Sequence, residues 1–161
     1  MKKSLMTVAL ALGIGLTVQA SAATIDDAGR DALFAALADE HHAEAFYDAV
    51  IAKFGDVRPF VNIIEAERMH AAEIGAVMAS YGLTAGPNDQ LGSKAISDAV
   101  PATIAEACKI GVEAELVNRT LYDGELIPAV STHPDIVALF ERLRDASNNN
   151  HLPAFERCAA R

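Results

Sequence analysis

Residues 33–54 read LFAALADEHHAEAFYDAVIAKF, and their periodicity indicates a helical protein. Positions spaced alternately by four and three residues form one continuous face of an α-helix. Two carboxylates lie within this otherwise apolar face, where an unpartnered charge costs several kcal/mol to bury. Such a helix needs other helices to pack against and a cation for its acids. The face consists of Leu33, Leu37, Glu40, Glu44, Tyr47, Ile51 and Phe54.

Polar groups also interrupt the apolar faces of three further helical segments. Glu67 and His70 lie one turn apart on the second face, Glu115 lies on the third, and His151 lies on the fourth. Several acids and imidazoles on facing helices predict a site for a divalent metal, which takes carboxylate oxygen and imidazole nitrogen as ligands. The fourth face is predicted to consist of Val137, Phe140, Arg144, Asn148, His151, Phe155 and Cys158.

Turn and capping residues divide the chain into four long helices, which predicts an all-α domain. Thr24, with Asp27 three residues later, resembles a capping box for helix 1, and Gly55 suits the left-handed position after that helix. Short turns within each pair and a long crossover between helices 2 and 3 predict an antiparallel four-helix bundle. The crossover, 82–100, is expected to be a loop with one short helix. The helices are predicted at 24–54, 59–81, 101–124 and 134–161.

The N-terminus has the features of a secretory signal peptide over residues 1–22. Lys2 and Lys3 precede an apolar run, and Ala20-Ser21-Ala22 fits the small-x-small cleavage pattern. The run is shorter than the ~20 residues needed to cross a bilayer, so no stable membrane insertion is expected after cleavage. Residues 23–161 would then form one domain that is periplasmic or secreted.

Acidic residues outnumber basic residues in this chain. It has 22 Asp and Glu residues against 13 Lys and Arg residues, a net charge of −9. Loss of Lys2 and Lys3 with the signal peptide would make the charge still more negative. Such a surface would repel a phosphate backbone, so nucleic acid is excluded as an expected partner.

The two halves of the chain share a signature, as expected of a duplicated helix hairpin. Glu40-x-x-Ala43-x-x-x-Tyr47 corresponds to Glu115-x-x-Asn118-x-x-x-Tyr122. With Glu67-x-x-His70, these runs resemble the ferritin-like superfamily, whose di-iron members place a Glu on two helices and Glu-x-x-His on the other two. The chain is most similar to an uncharacterised family of bacterial and archaeal ferritin-like domains. The features that carry this resemblance are Phe60-x-Asn62-Ile63, Glu67-x-x-His70, Tyr81-Gly82-Leu83, Gly111 four residues before Glu115, and Asn150-His151-Leu152-x-Ala154-Phe155.

The resemblance implies a ferritin-like bundle with a metal site between its helices. It implies one or two divalent ions, with iron the first candidate and manganese, zinc and copper left open. Tyr47 and Tyr122 would donate hydrogen bonds to the ligands, and family habit suggests a homodimer. The metal ligands that the resemblance implies are Glu40, Glu67, His70, Glu115 and His151.

Three functions are compatible with such a site. The first is oxidation or storage of the metal, as in a ferroxidase, and the lack of a Cys-x-x-Cys pair argues against a self-contained rubrerythrin-type peroxidase. The second is a non-catalytic periplasmic metal carrier or stress protein with one mononuclear site. The third is an interaction module whose metal site has decayed.

Asn148 takes the position of the second bridging glutamate of a full di-iron motif, and an amide supplies no anionic bridge. We therefore expect one metal to be held tightly and a second to be weak or absent. Glu44 could replace the missing ligand, or could turn to solvent at the edge of its face. Pro153 is expected to kink helix 4, because it cannot bond to the carbonyl of Asn149.

Cys108 and Cys158 are candidates for a disulfide in an exported protein. Each lies seven residues from an implied ligand, Glu115 or His151, which returns it to the same inward face two turns away. If helices 3 and 4 are antiparallel, the two cysteines meet. Two buried free thiols or a pair of soft-metal ligands are the alternatives.

Overall fold

The computed structural model describes residues 24–161, so the predicted signal peptide of residues 1–22 lies outside the described residues. All regular secondary structure within 24–161 is helical. The α-helices are α1 Asp27–Phe54, α2 Phe60–Ser80, α3 Lys94–Ala99, α4 Ile104–Leu121, α5 Ile127–Ala129, α6 Pro134–Ala146 and α7 Leu152–Ala159. Two π-helical segments accompany them, the first at Tyr122–Leu126 and the second at Ser147–His151.

The helices α1 and α2 pack against each other as one hairpin. His70 of α2 meets Glu40 of α1, and Phe60, earlier in α2, meets Tyr47, later in α1. The two helices therefore run antiparallel. The connection from α2 to α4 is long and contains the short helix α3, as predicted.

The second hairpin consists of α4 packed against α7. The Sγ atoms of Cys108 and Cys158 lie 1.99 Å apart, at disulfide-bond distance, so the predicted pairing is confirmed over the alternative of free thiols. Two helical turns from this cysteine pair, Glu115 of α4 faces His151. These two pairs show that α4 and α7 run antiparallel.

Two apolar clusters lie on either side of a band of buried polar residues. Along α1 the order is an apolar turn, then Glu40 and Glu44, then a second apolar turn. The first cluster includes Leu33, Leu37, Ile74, Met78, Tyr122, Leu126, Val130, Ile136 and Phe140. The second includes Tyr47, Val50, Phe60, Ile63, Ile64, Ala107, Cys108, Phe155 and Cys158.

The N-terminal cap of α1 differs from the prediction. Asp26 caps the helix, because its carboxylate accepts a hydrogen bond of 2.8 Å from the N–H of Gly29. Capping by Thr24 is therefore wrong. At the other end, Gly55 has a φ of +82° and donates its N–H to the carbonyl of Ile51, as predicted for a C-terminal glycine.

The third long helix continues past Asp123-Gly124, where the sequence predicts its end. It passes through the first π-helical segment into α5. Leu126 and Val130, beyond the glycine, are both buried in the first apolar cluster. Their burial outweighs the ~1 kcal/mol by which a helical glycine is less favourable than alanine.

A π-helical turn stands where a kink at Pro153 is predicted. The N–H of Leu152 bonds to the carbonyl of Ser147, five residues back, and Pro153 lies in the first turn of α7. A proline ring in an α-helix clashes with the carbonyl four residues back, and the wider turn relieves that clash. Pro128 stands in the same relation to the first π-helical segment.

The extra residue in the second π-helical turn shifts the inward face of α6 by one position. Leu143 and Ser147 are buried, whereas Arg144 and Asn148, which the periodicity places inward, are half-buried. The prediction for these positions is wrong because it assumed an unbroken period of 3.6 residues. From the end of the turn onward, the predicted inward residues are buried, namely His151, Phe155 and Cys158.

No helix between residues 24 and 161 combines the length and the apolar character that crossing a membrane requires. The longest, α1 at 28 residues, carries Glu40 and Glu44 on its buried face. These buried acids therefore need hydrogen-bond donors or cations as partners inside the protein.

Candidate metal centre

Five buried side chains meet in the polar band between the two apolar clusters. They come from α1, α2, α4 and the second π-helical segment, and only 3–8 % of each residue is exposed. They are the residues that the resemblance implies as metal ligands, so the structure brings the whole implied set together. The five are Glu40, Glu67, His70, Glu115 and His151.

Glu40, Glu67 and His70 form the first of two groups. The Nδ1 atom of His70 lies 3.1 Å from Oε2 of Glu40 and 3.1 Å from Oε2 of Glu67. One donor atom of each residue lies within 4.8 Å of the other two. Two carboxylates and one imidazole thus face a single point.

Glu67, Glu115 and His151 form the second group. The Nδ1 atom of His151 lies 3.2 Å from Oε1 of Glu67 and 3.6 Å from Oε1 of Glu115. Glu67 therefore belongs to both groups and directs a different oxygen to each imidazole. Because Glu67 is shared, each group contains two carboxylates and one imidazole.

The spacing of the donor atoms suits a divalent ion. With metal–ligand bonds of about 2.0–2.2 Å, two donors on one ion are about 3.0 Å apart at a right angle and about 3.4 Å apart at the tetrahedral angle. The distances of 3.1–3.6 Å from the two imidazoles to the carboxylates fall close to this range. The groups could therefore hold a metal ion without large rearrangement.

His151 gives the sharpest test of that fit. Its Nδ1 atom is buried and has no hydrogen-bond partner, although two carboxylate oxygens lie nearby. A buried ring nitrogen without a partner is uncommon, because the loss of its hydrogen bond to water is not compensated. A cation between the ring and the carboxylates would satisfy all three groups.

Two tyrosines fix the outer carboxylates, each from the opposite hairpin. Tyr122 donates a hydrogen bond of 2.9 Å to Oε1 of Glu40, and Tyr47 donates one of 3.2 Å to Oε1 of Glu115. Both tyrosines are buried. They are therefore placed to orient the acids, which is the position that the resemblance implies for them.

Burial and mutual contact shift the pKa values of Glu40, Glu67, His70 and His151 strongly. Burial, reinforced by the charge of Glu67, raises the pKa of Glu40 to about 8, although His70 opposes the shift. Burial also opposes ionisation of Glu67, but its close contacts with the imidazoles of His151 and His70 outweigh burial and lower its pKa to about 2.

The two imidazoles are shifted in the direction that favours their charged form. Burial disfavours the charge on His70, but Glu40 and Glu67 outweigh it and raise its pKa to about 10. In the same way Glu115 and Glu67 outweigh burial and raise the pKa of His151 to about 9. Without a metal, protons on the rings hold the acids together, and a bound metal would replace those protons.

Glu44 does not join the centre. Its carboxylate accepts hydrogen bonds of 2.9 Å from Nε of Arg68 and 2.8 Å from Nδ2 of Asn88. Burial opposes its ionisation, but these two donors outweigh burial and lower its pKa. It is thus neither a sixth ligand nor a solvated group, and both interpretations of Glu44 from the sequence differ from its observed contacts.

Ser147 occupies the place that the sequence assigns to Asn148. Asn148 lies outside the centre, where its Oδ1 accepts a 3.4 Å hydrogen bond from Arg119. Ser147 is 3 % exposed and borders the centre beside Glu115. Burial raises the pKa of Glu115, and the nearby imidazole of His151 and hydroxyl of Ser147 oppose the shift. The signal that could have revealed this register is Pro153, because its ring would clash with the carbonyl four residues back in an unbroken α-helix.

A cavity of about 90 Å³ opens onto the centre between α1 and α4. Asp39 and Asn118 line it, and the Nδ2 atom of Asn118 donates a 2.6 Å hydrogen bond to Oδ2 of Asp39. Burial raises the pKa of Asp39. The sequence pattern does not single out Asp39, because it lies beside the inward face of α1 rather than on it.

The chain matches no protein-family model, no curated protein and no solved structure. What the centre can do is therefore argued from its own donors. Three carboxylates and two imidazoles, all buried and close together, could hold a divalent metal.

Proposed function

We propose that this protein is a ferritin-like metal-binding protein, an antiparallel four-helix bundle whose two hairpins hold a divalent metal centre between them. The observation that carries the proposal is the position of Glu67, which directs Oε2 to His70 and Oε1 to His151. A carboxylate shared in this way suits two neighbouring ions. It would bridge them as a glutamate bridges the metals of di-iron carboxylate proteins.

Iron is the first candidate for the metal, and its oxidation or storage is the proposed activity. The donors are the oxygen and nitrogen ligands that iron accepts, and iron bound to them can exchange an electron between its ferrous and ferric states. The residues themselves neutralise the charge of the ion, exclude water from it and fix its position. Tyr47 and Tyr122 keep Glu115 and Glu40 oriented for this purpose.

A non-catalytic carrier with one ion is the second candidate. The observation that favours it is the charge of the centre, since Glu40, Glu67 and Glu115 supply three carboxylates against the four charges of two divalent ions. A single ion with three carboxylates leaves no excess of positive charge. Manganese and zinc would suit such a site as well as iron does.

We also propose that the protein acts outside the cytosol, in the periplasm or after secretion. The signal-like residues 1–22 and the Cys108–Cys158 pair support this, because disulfides persist in oxidising compartments. The pair lies in the second apolar cluster, away from the metal donors.

Metal analysis of protein purified from the periplasm tests the proposal. Two equivalents of iron per chain, with oxygen consumed when ferrous iron is added to the apo-protein, would support the di-iron proposal. One equivalent without oxygen consumption would support the carrier. Protein that binds neither iron, manganese nor zinc would contradict both and favour a bundle retained for interaction with a partner.

A further inference from the structure

The cavity beside the centre touches only its carboxylate side. Glu40, Glu67 and Glu115 line it, whereas the rings of His70 and His151 do not. Neither lysine nor arginine lines the cavity. The wall that faces the centre therefore offers carboxylate oxygens, the ligands that hard cations take, and no competing cationic side chain.

Asn118 adds a second, independent feature to this cavity. The residue is 9 % exposed, and its Oδ1 atom is buried without a hydrogen-bond partner, while its Nδ2 atom is bound to Asp39. A buried acceptor of this kind needs a donor or a cation. Together with the carboxylate of Asp39 it offers two hard oxygen ligands before the centre is reached.

We propose that Asp39 and Asn118 form a transit site through which a divalent cation, still carrying part of its water, reaches the metal centre. The inference rests on the proposed metal centre and adds the route to it. Because the five ligand residues are almost fully buried, a metal ion must pass through an opening and lose its water on the way. The cavity has room for such an ion with a few water molecules.

The transit site is suited to passage rather than to storage. Among the described residues, the groups of three or more metal-binding side chains do not include Asp39, so it offers too few ligands for tight binding. Transport through a site requires binding that is favourable enough for arrival and weak enough for departure. His42 also lines the cavity, but its Nδ1 atom lies 3.0 Å from Oε1 of Gln90. The oxygens of Asp39 and Asn118 are therefore the main ligands that the transit site offers.

Rapid mixing of apo-protein with Co²⁺, followed by the visible absorption of the bound ion, tests the inference. Asp39→Asn should lower the bimolecular loading rate about tenfold, the low end of electrostatic steering effects. Its equilibrium affinity for Co²⁺ should stay at the wild-type value. Asp39→Glu keeps the charge and should load near the wild-type rate. Asp48→Asn is the matched control, since it removes the same charge from α1 outside the cavity.

Ionic strength provides a second reading of the same experiment. Salt screens charges in an open cavity. The difference in loading rate between Asp39→Asn and the wild type should therefore become smaller as salt is added. If Asp39→Asn does not fold, Asn118→Leu removes the unpartnered oxygen at similar volume and should also slow loading without weakening final binding.

Three results would decide against the transit site. Equal loading rates for Asp39→Asn and Asp48→Asn would overturn it and leave the proposed centre intact. Loss of equilibrium binding in Asp39→Asn would overturn it by making Asp39 a ligand. A wild-type protein that binds no metal at all would contradict the proposed function first, and the transit site with it.

Discussion

Oε1 of Glu67 lies 3.2 Å from Nδ1 of His151, although the two residues belong to different hairpins. Glu67 is on α2, and His151 ends the second π-helical segment. The second group of donors therefore exists only when the two hairpins are packed together. Any ion that binds there stabilises the packed state, because it binds the folded chain and not the separated helices.

We expect the apo-protein to lose stability as the pH rises from about 6 to about 9. His70 and His151 have folded-state pKa values raised to about 10 and about 9. A group with a raised pKa contributes stability that is fully present below its unfolded value, near 6.5, and is lost as the pH rises through the folded value. Thermal unfolding of apo-protein across this pH range measures the loss.

The protons on His70 and His151 compete with a metal ion for the ring nitrogens. Metal binding should therefore strengthen as the pH rises from about 6 to about 9. The increase in melting temperature on adding metal should therefore be larger at pH 9 than at pH 6. His151→Gln should flatten the pH dependence of the apo-protein, whereas His42→Gln, at the exposed rim of the cavity, should not. An apo-protein that is more stable at pH 9 than at pH 6 would contradict the assignment of the protons.

Gly111→Ala should destabilise the protein by about 1–3 kcal/mol, the usual cost of overpacking a core. A Cβ at this position would lie 2.6–2.8 Å from ring carbons of Phe155, which is itself fully buried. The better helix propensity of alanine, worth up to ~1 kcal/mol, does not offset this clash. Urea unfolding gives the change in free energy.

Gly75→Ala is the matched control for that substitution. Its Cβ would meet only Ala85, at 3.4 Å, which is ordinary contact. The variant should be as stable as the wild type or up to ~1 kcal/mol more stable, because alanine favours the helix. If both variants changed stability equally, the close approach of α4 and α7 at Gly111 would not matter as argued.

Removing the disulfide should cost about 4 kcal/mol on the chain-entropy account of a loop of this size. Cys108 and Cys158 are 50 residues apart in sequence and close the second hairpin at the end of α7. The double variant Cys108→Ala, Cys158→Ala should unfold at lower urea concentration and still bind metal, since the pair lies away from the donors. Two free thiols in denatured, unreduced wild-type protein would show that the bond does not form.

Ser147→Asp should strengthen metal binding on the order of tenfold, the scale on which neighbours of a ligand act. Its carboxylate would stand beside Glu115, where the buried serine now lies. The apo-variant should be less stable, because the added charge is buried without a metal. Asn148→Asp adds the same charge next to Arg119, outside the centre, and should leave affinity unchanged.

The helices of the first hairpin could be predicted closely because their period is unbroken. α2 begins and ends within one residue of the predicted bounds, and Glu40, Glu67 and His70 all lie on the predicted inward faces. The last helix could not be predicted as well. A 3.6-residue period takes no account of the added residue of a π-helical turn, so it predicts Asn148 at the inward position that Ser147 occupies.

The candidate site, too, could be predicted only in part from the sequence. Its five donors stand out in the sequence because each interrupts an apolar face. The pairing of Asp39 with Asn118 joins two residues that lie 79 positions apart in sequence, one on each hairpin. Local periodicity does not encode such a contact. The bonding of Glu44 to Arg68 and Asn88 also depends on the fold, since Asn88 comes from the connection between α2 and α4.

The shared role of Glu67 is tested most directly by the number of Co²⁺ equivalents bound at equilibrium by wild type, Glu67→Ala, Glu40→Ala and Glu44→Ala. A shared carboxylate predicts two equivalents for the wild type and for Glu44→Ala, one for Glu40→Ala, and none held tightly by Glu67→Ala. Glu44 is the matched control because it is a buried carboxylate of the same stripe that lies outside both groups. Glu67→Ala that binds as much metal as the wild type would contradict the centre.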